Sequence, residues 1–377
     1  MSYSYWEQQS FFGTYDVIIV GSGIVGLNAA LALKSSSPTL KIAILERGIL
    51  PSGASTKNAG FACFGSVSEL MSDIKTYGEN TVYELVERRF KGLETLRKTL
   101  GDEAISFEQN GGYELFLNTD KKKKNVALEA IPYLNNLLKP VFSGADIFTD
   151  ASDKIAGFGF SKVDSLIFNQ FEGQIDTGKM MSALIQKVQS LGVKIFNQCE
   201  VFSFEEVNII KLNTNIGEFK THKILFATNA FAPQLLPNLD IKPGRGQVLI
   251  TAPIVDLKFT GTFHYDEGYY YFRNIDDRIL LGGGRNLNFK AEETYELDTT
   301  EEIQNKLKEL LSEIIYPNKA IVIDYNWSGI MGFGETLEPI VEKITEGIFV
   351  AARCNGMGIA LGSLTGKDAA NLVLKDI

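Results

Sequence analysis

The chain is poor in sulfur and imidazole: its 377 residues include three cysteines and two histidines. Cys63, Cys199 and Cys354 lie far apart, are odd in number and form no C-x-x-C pair. That excludes a disulfide framework and a structural zinc site of the usual spacing, and it fits a reducing compartment. His222 and His264 are too few and too distant to build a metal centre. Long apolar runs are missing as well. The longest, Val17 to Leu33, contains Gly21, Gly23 and Gly26 and changes period halfway, so it reads as strand, turn and helix rather than a membrane span. The opening MSYSYWEQQSFFG lacks a basic segment followed by an apolar one, so no signal peptide is expected and the location read is cytoplasmic. Positive charge is in deficit, with 37 Lys and Arg against 46 Asp and Glu and a net charge of −9. An acidic surface disfavours nucleic acid and anionic membranes as partners without excluding a local basic pocket.

What is present begins with a βαβ unit. Asp16–Val20 (DVIIV) is a continuous apolar strand of the kind buried on both faces in a parallel sheet. Gly21–Gly26 (GSGIVG) is the turn, Leu27–Lys34 a helix stopped by serines and Pro38, and Lys41–Leu45 the next strand. Gly21, Gly23 and Gly26 supply G-x-G-x-x-G. The first glycine serves the tight turn, the second lets backbone approach a diphosphate, and the third lets helix pack close on strand. The helix N-terminus offers free N–H groups to phosphate. Glu46 ends the second strand, twenty residues after Gly26, where a carboxylate can bond ribose hydroxyls. This unit is common to FAD and NAD sites and does not choose between them.

A glycine-rich loop spans Pro51–Gly65, and helical periodicity runs from about Val67 to Leu100. Tyr113–Leu117 reads as a strand, and Lys121–Lys124 as a solvated helix start or turn, against a phosphate or acidic-partner patch. Asp176 caps a helix over Thr177–Leu191. Strands are expected at Val193–Phe196, Val201–Phe204 and Lys223–Ala227. Alternating segments at Gly246–Thr251, Gly268–Arg273 and Arg278–Gly282 suggest an antiparallel sheet. A helix over Thr300–Ile315, a strand at Ile348–Ala352, a glycine turn and a final helix complete the chain.

In motif order, the whole chain resembles the D-amino acid oxidase-like family of FAD enzymes, which includes glycine and sarcosine oxidases. The resemblance rests on DVIIVGSGIVGLNAALAL, ILERG, SGASTKNAGF, GQIDTGKMMSALIQKVQSLGVKIF, FATNA and FVAARCNGMGIALGSLTGKDAANLVL. It implies an α/β protein with a discontinuous Rossmann-like FAD-binding domain (1–85, 160–240 and 325–377) and an α+β substrate domain with an antiparallel sheet (86–159 and 241–324). It implies cofactor contacts from Glu46 and Arg47, and from Ser55, Thr56, Lys57, Asn58, Ala59 and Gly60 of the loop. Val201 matches the residue whose backbone meets adenine. Ala227 and Thr228 belong to FATNA, with Asn229 standing where the family has glycine. Gly356, Met357 and Gly358 begin the last helix, whose N–H groups would face the flavin where negative charge gathers.

The resemblance also implies hydride transfer to flavin N5 from the carbon beside an amine, with oxygen or an unknown partner as electron acceptor. The substrate residues of the relatives are absent here. Met331 stands near the position of a carboxylate-binding arginine in glycine oxidases and a flavin-linking cysteine in sarcosine oxidases, which predicts non-covalent FAD. Ala360 and Leu280 stand where sarcosine oxidases use lysines, so oxygen need not be the acceptor. Arg273, Arg285 and Arg353 are replacement cations, with Arg273 and Arg285 expected to hold an anionic substrate group against the competing reading of surface salt bridges. Tyr269 and Tyr271 share one strand face, Tyr270 the other, and Tyr271 is a candidate pocket residue. His264 is the better histidine for proton handling, against a structural role. Oxidation of a small amine or amino acid is the expected activity. A 2-hydroxy acid dehydrogenase, a non-catalytic flavin-binding module and an NAD enzyme remain as alternatives.

Overall fold

The computed structural model describes residues 3–206 and 208–377. Two large sheets organise them. The first is built on the apolar strands Tyr15–Val20, Ile42–Leu45 and Lys194–Phe196 on one side, and Gly217–Phe226 and Ile348–Ala352 on the other, all paired parallel. Ile340–Thr345 closes one edge antiparallel. The first half of Gly217–Phe226 leaves the parallel sheet to pair with Ile210–Thr214, which pairs in turn with Val201–Glu206. Strands buried on both faces need no alternation, and IAIL and IFVAA are buried throughout.

The second sheet runs in the order 323–333, 242–251, 278–283, 270–275, 262–265, 112–117, 163–169, 148–150. All its pairings are antiparallel except that of Thr262–Tyr265 with Gly112–Leu117. One face packs on the helix Glu301–Leu310 and on a phenylalanine cluster in which Phe263 and Phe272 stack at 4.6 Å. Strands close to the expected boundaries at 160 and 325 belong to this sheet. Val163–Asn169 and Ile323–Phe333 pair wholly within the second sheet and not with the nucleotide-side strands. The helix Glu79–Leu100 crosses the boundary drawn at 85 and packs against the last helix.

The stretch 67–100 is two helices, Val67–Tyr77 and Glu79–Leu100, because Gly78 at φ +88° stops the first. The expected helix to Ile315 holds its α form over Glu301–Leu310 and continues as a π turn through Ile315. Lys121–Lys124 do begin a helix, with Lys123 on Asp266 (2.7 Å) and Lys124 on Asp164 (2.5 Å). Among the described residues, no helix is long and apolar enough to cross a membrane.

The helix Ile24–Ser36 is apolar nearly all round, so it is buried between the first sheet and other helices. Its principal neighbour is the last helix, Gly358–Leu374. A Cβ on Gly366 would stand 2.5 Å from the Val25 carbonyl oxygen, and one on Gly92 would stand 1.9 Å from that of Ala360. Three helices therefore meet backbone to backbone. Gly92→Ala should destabilise by about 1–3 kcal/mol through overpacking. The expected reading is a Tm lower by a few degrees, with Gly157→Ala, whose Cβ meets nothing within 4 Å, unchanged as control.

Candidate active site

Gly21 takes φ +104°, and a Cβ there would lie 2.7 Å from the Ala227 carbonyl oxygen. A Cβ on Gly26 would lie 2.1 Å from the Gly21 carbonyl oxygen, so the third glycine of the motif is a packing residue, as its spacing predicts. Gly26 does not line the trough that opens beyond the turn; Gly21 and Gly23 do. This cavity, about 350 Å³, follows the carboxyl ends of the parallel strands. Glu46, Arg47, Ser55, Asn58, Val201, Ala227, Thr228, Gly356 and Gly358 also face it.

Local chemistry positions each of these. Glu46 is 6% exposed, and its carboxylate accepts from Ser22 N and Oγ (3.1 and 2.8 Å), Gly48 N (3.0 Å) and Ser52 Oγ (3.1 Å). Arg47 lies 3.8 Å over the Phe231 ring. Ser55 Oγ accepts from Ile24 N at the start of the first long helix. Thr228 Oγ1 is buried without a partner among the described residues, an orphan polar atom in the trough wall. Asn229 takes φ 49°, a left-handed conformation that asparagine tolerates better than most residues, which accounts for asparagine in place of the family glycine. Thr56 departs from expectation: its hydroxyl is spent on the Pro51 and Gly53 carbonyls and does not face the trough.

A second cavity, about 410 Å³, adjoins the first through Ala54, Asn58, Met331, Asn355, Gly356 and Ile359. Lys57, Ala59, Gly60 and Met357 face this side, as do Tyr269, Tyr271, His264 and Arg285. Tyr270 points the other way into the core, as the strand alternation requires. Burial pushes the Tyr271 hydroxyl up to about 12, so it stays protonated. The Arg285 side chain makes no hydrogen bond or ion pair among the described residues; its guanidinium lies 3.9 Å over the Phe333 ring. Burial lowers its pKa.

The Arg273 side chain is engaged elsewhere. It is absent from the cavity wall, and its Nε and a terminal nitrogen donate to the carbonyls of Ala59 (2.6 Å) and Ile175 (3.0 Å). It fastens the loop to the second sheet. Arg353 is likewise spent, on Asp240 and the Glu338 carbonyl. Met331 and Ala360 line the second cavity, whereas Leu280 is packed away with Val248 and Ala59. Cys63 and Cys354 are buried thiols with pKa values pushed up by burial, Cys354 to about 11.

Sequence reading overlooked three carboxylates. Glu69 and Asp73 line the second cavity from the helix Val67–Tyr77, and their spacing put them on one helix face. Burial first, and Glu69 second, raise Asp73 to about 6. Glu172, 1% exposed, bonds His264 Nε2 at 3.0 Å; nothing in its local sequence signals a contact with a strand more than ninety residues away.

The trough suits FAD: it joins glycine backbone at one helix start, an acid at a strand end, an unpartnered threonine hydroxyl and a second helix start beside a separate cavity. A family model described as FAD dependent oxidoreductase matches residues 16–372. Glycine oxidase of Geobacillus kaustophilus is 25% identical over 375 residues, 95% of this chain and 93% of that protein. Gamma-glutamylputrescine oxidoreductase of Escherichia coli K12 is 22% identical over 96% of this chain and 84% of its own length. Among solved structures, L-proline dehydrogenase from P. horikoshii superposes with a TM-score of 0.75 at 21% identity, covering 97% of this chain and 94% of that one. The glycine oxidase from G. kaustophilus gives 0.76 at 21%, covering 97% and 95%. Backbone, trough and family match agree, and the chain belongs to the DAO family of FAD dependent oxidoreductases, enzymes that work with FAD.

Proposed function

We propose that this enzyme oxidises a small amine or amino acid carrying an anionic group at its C–N bond, giving an imine that hydrolyses. The observation that carries this reading is the unpaired Arg285 guanidinium in the wall of a cavity that meets the start of the last helix. Bound in the trough, FAD supplies the acceptor for a hydride equivalent. Gly21, Gly23 and Ser55 would hold the diphosphate, Glu46 a ribose, the Val201 backbone the adenine, and Asn58, Gly356, Met357 and Gly358 the flavin. No cysteine occupies the Met331 position, which supports non-covalent attachment.

The residues of the second cavity have separable tasks. Arg285 binds a carboxylate through its in-plane N–H edge and sets which carbon faces the flavin. Tyr271, protonated over the working range, donates to the same group or to the amine. Phe61, Phe333 and Met357 restrict water. The names of the relatives, glycine oxidase, gamma-glutamylputrescine oxidoreductase and L-proline dehydrogenase, all indicate nitrogen-bearing substrates and support the C–N reading.

The test is anaerobic mixing of the purified holoenzyme with amino acids, amines and 2-hydroxy acids while flavin absorbance is followed. Bleaching by an amino acid or amine is expected; bleaching by hydroxy acids alone would replace this reading with the alcohol-oxidising one. Acid precipitation should leave the flavin in the supernatant, and flavin pelleting with protein would refute non-covalent binding. Arg285→Ala should raise KM for a carboxylate substrate by about tenfold or more, the loss of a charged hydrogen bond. An unchanged KM would remove Arg285 from the site.

A further inference from the structure

His264 lies in a row across the second sheet, with Tyr271 as its neighbour on one side and Glu114 on the other. It is 6% exposed and lines the second cavity. Its Nε2 meets Glu172 Oε2 at 3.0 Å, while its other ring nitrogen has no partner among the described residues. Glu172 is itself immobilised. Its Oε1 accepts from Phe64 N at 3.1 Å, and its Oε2 sits where a Cβ on Gly112 would be, 2.0 Å away. A strand residue without a side chain makes room for this carboxylate. Glu172 faces the sheet side of the imidazole and is absent from the cavity wall, so it reaches the site only through His264.

We propose that Glu172 is a positioning residue that fixes the tautomer of His264, holding the proton on Nε2 and presenting Nδ1 to the substrate cavity as a proton acceptor. This rests on the amine reading above. An amine arrives mainly as ammonium and has no lone pair for C–N oxidation. Nδ1 takes one proton: an N–H bond of the ammonium breaks, its electron pair stays on nitrogen, and a new N–H bond forms on the imidazole. The imidazolium then has both nitrogens protonated and faces the Glu172 carboxylate, which stabilises it.

The charges that raise the His264 pKa are carboxylates, while Lys57, Glu267 and Arg285 line the same cavity. Burial opposes the imidazolium, but Glu172, with Glu69 and Glu114 farther off, outweighs burial and holds its pKa above the ordinary histidine value. Arg89 is 3.8 Å from Glu69 and offsets part of that carboxylate. Asp73 titrates in the same cavity at about 6, so a kinetic profile alone would mix the two groups.

Two histidines make a direct measurement feasible. In the holoenzyme labelled with 15N-histidine, with His222→Gln to assign the signals, the neutral His264 should show a proton on Nε2 and none on Nδ1. Glu172→Gln keeps the shape and removes the charge. Its His264 pKa should fall by about one pH unit or more, and the acidic limb of kcat/KM should move to lower pH by the same amount, because the base stays neutral further down. Retained flavin and an unshifted melting curve show that the variant is folded. A neutral form protonated on Nδ1 in the otherwise native protein overturns the proposal even if Glu172→Gln does not fold. An unchanged His264 pKa in a folded Glu172→Gln protein overturns it as well. Neither resonance reading needs a substrate, so failure here is separate from failure of the amine screen.

Discussion

The backbone contact between the helices Ile24–Ser36 and Gly358–Leu374 is the constraint on which the rest depends. Gly366 lies so close to the Val25 carbonyl and the Ala29 nitrogen that a Cβ would stand 2.5 and 2.7 Å from them. Glycine in a helix interior costs about 1 kcal/mol relative to alanine. The chain accepts that cost at Gly92, Gly362 and Gly366, and the helices approach as a result. Because they lie together over the same parallel strands, both N-termini open on one trough. Each end carries roughly half a positive charge. Two such ends in one hollow make it a site for negative charge before any side chain is considered.

The loop between Ser52 and Ser66 lines both cavities, yet it contains little regular structure of its own. Side chains from elsewhere hold it. Arg273 takes the Ala59 carbonyl, Glu172 the Phe64 N–H, Arg89 the Phe64 carbonyl and Trp327 the Lys57 carbonyl. Three of these four side chains carry charge and are almost fully buried. Hydrogen bonds from charged groups are stronger than neutral ones, and a buried charge deprived of its partner is costly. The loop is therefore stiff where its own backbone would leave it free, and a stiff wall holds cofactor and reactant in a fixed geometry.

Local signals were enough for the nucleotide side. Strand, glycine turn, helix and Glu46 lie within one short segment, and apolar runs such as KILFA and IFVAA mark strands buried on both faces. The second sheet was less legible. Thr262–Tyr265 is four residues long, and it pairs parallel with a strand about 150 residues earlier, so its place is set by non-local partners. Val163–Asn169 likewise takes its place from pairing with the distant strand Gly112–Leu117. Gly78 split a continuous helical period that its neighbours carry on both sides.

The two arginines show most sharply where sequence reading stops. Arg273 and Arg285 belong to the same hairpin region and both follow aromatic or glycine-rich segments, Arg273 buried and Arg285 half-buried. What separates them is how each is held. Arg273 is held by hydrogen bonds, so its donors are consumed by the Ala59 and Ile175 carbonyls. Arg285 is held by a ring face, with Phe333 at 3.9 Å and Phe289 at 5.0 Å from its central carbon. Gly244 leaves room beside it, since a Cβ there would stand 3.0 Å from a terminal nitrogen. Stacking fixes a guanidinium plane without using any in-plane N–H group. Burial lowers the Arg285 pKa, yet an arginine starts so high that it stays charged at neutral pH. A cation that is oriented, charged and still in possession of its donors is the one able to grip a carboxylate, and the aromatic support, not the arginine itself, makes it so.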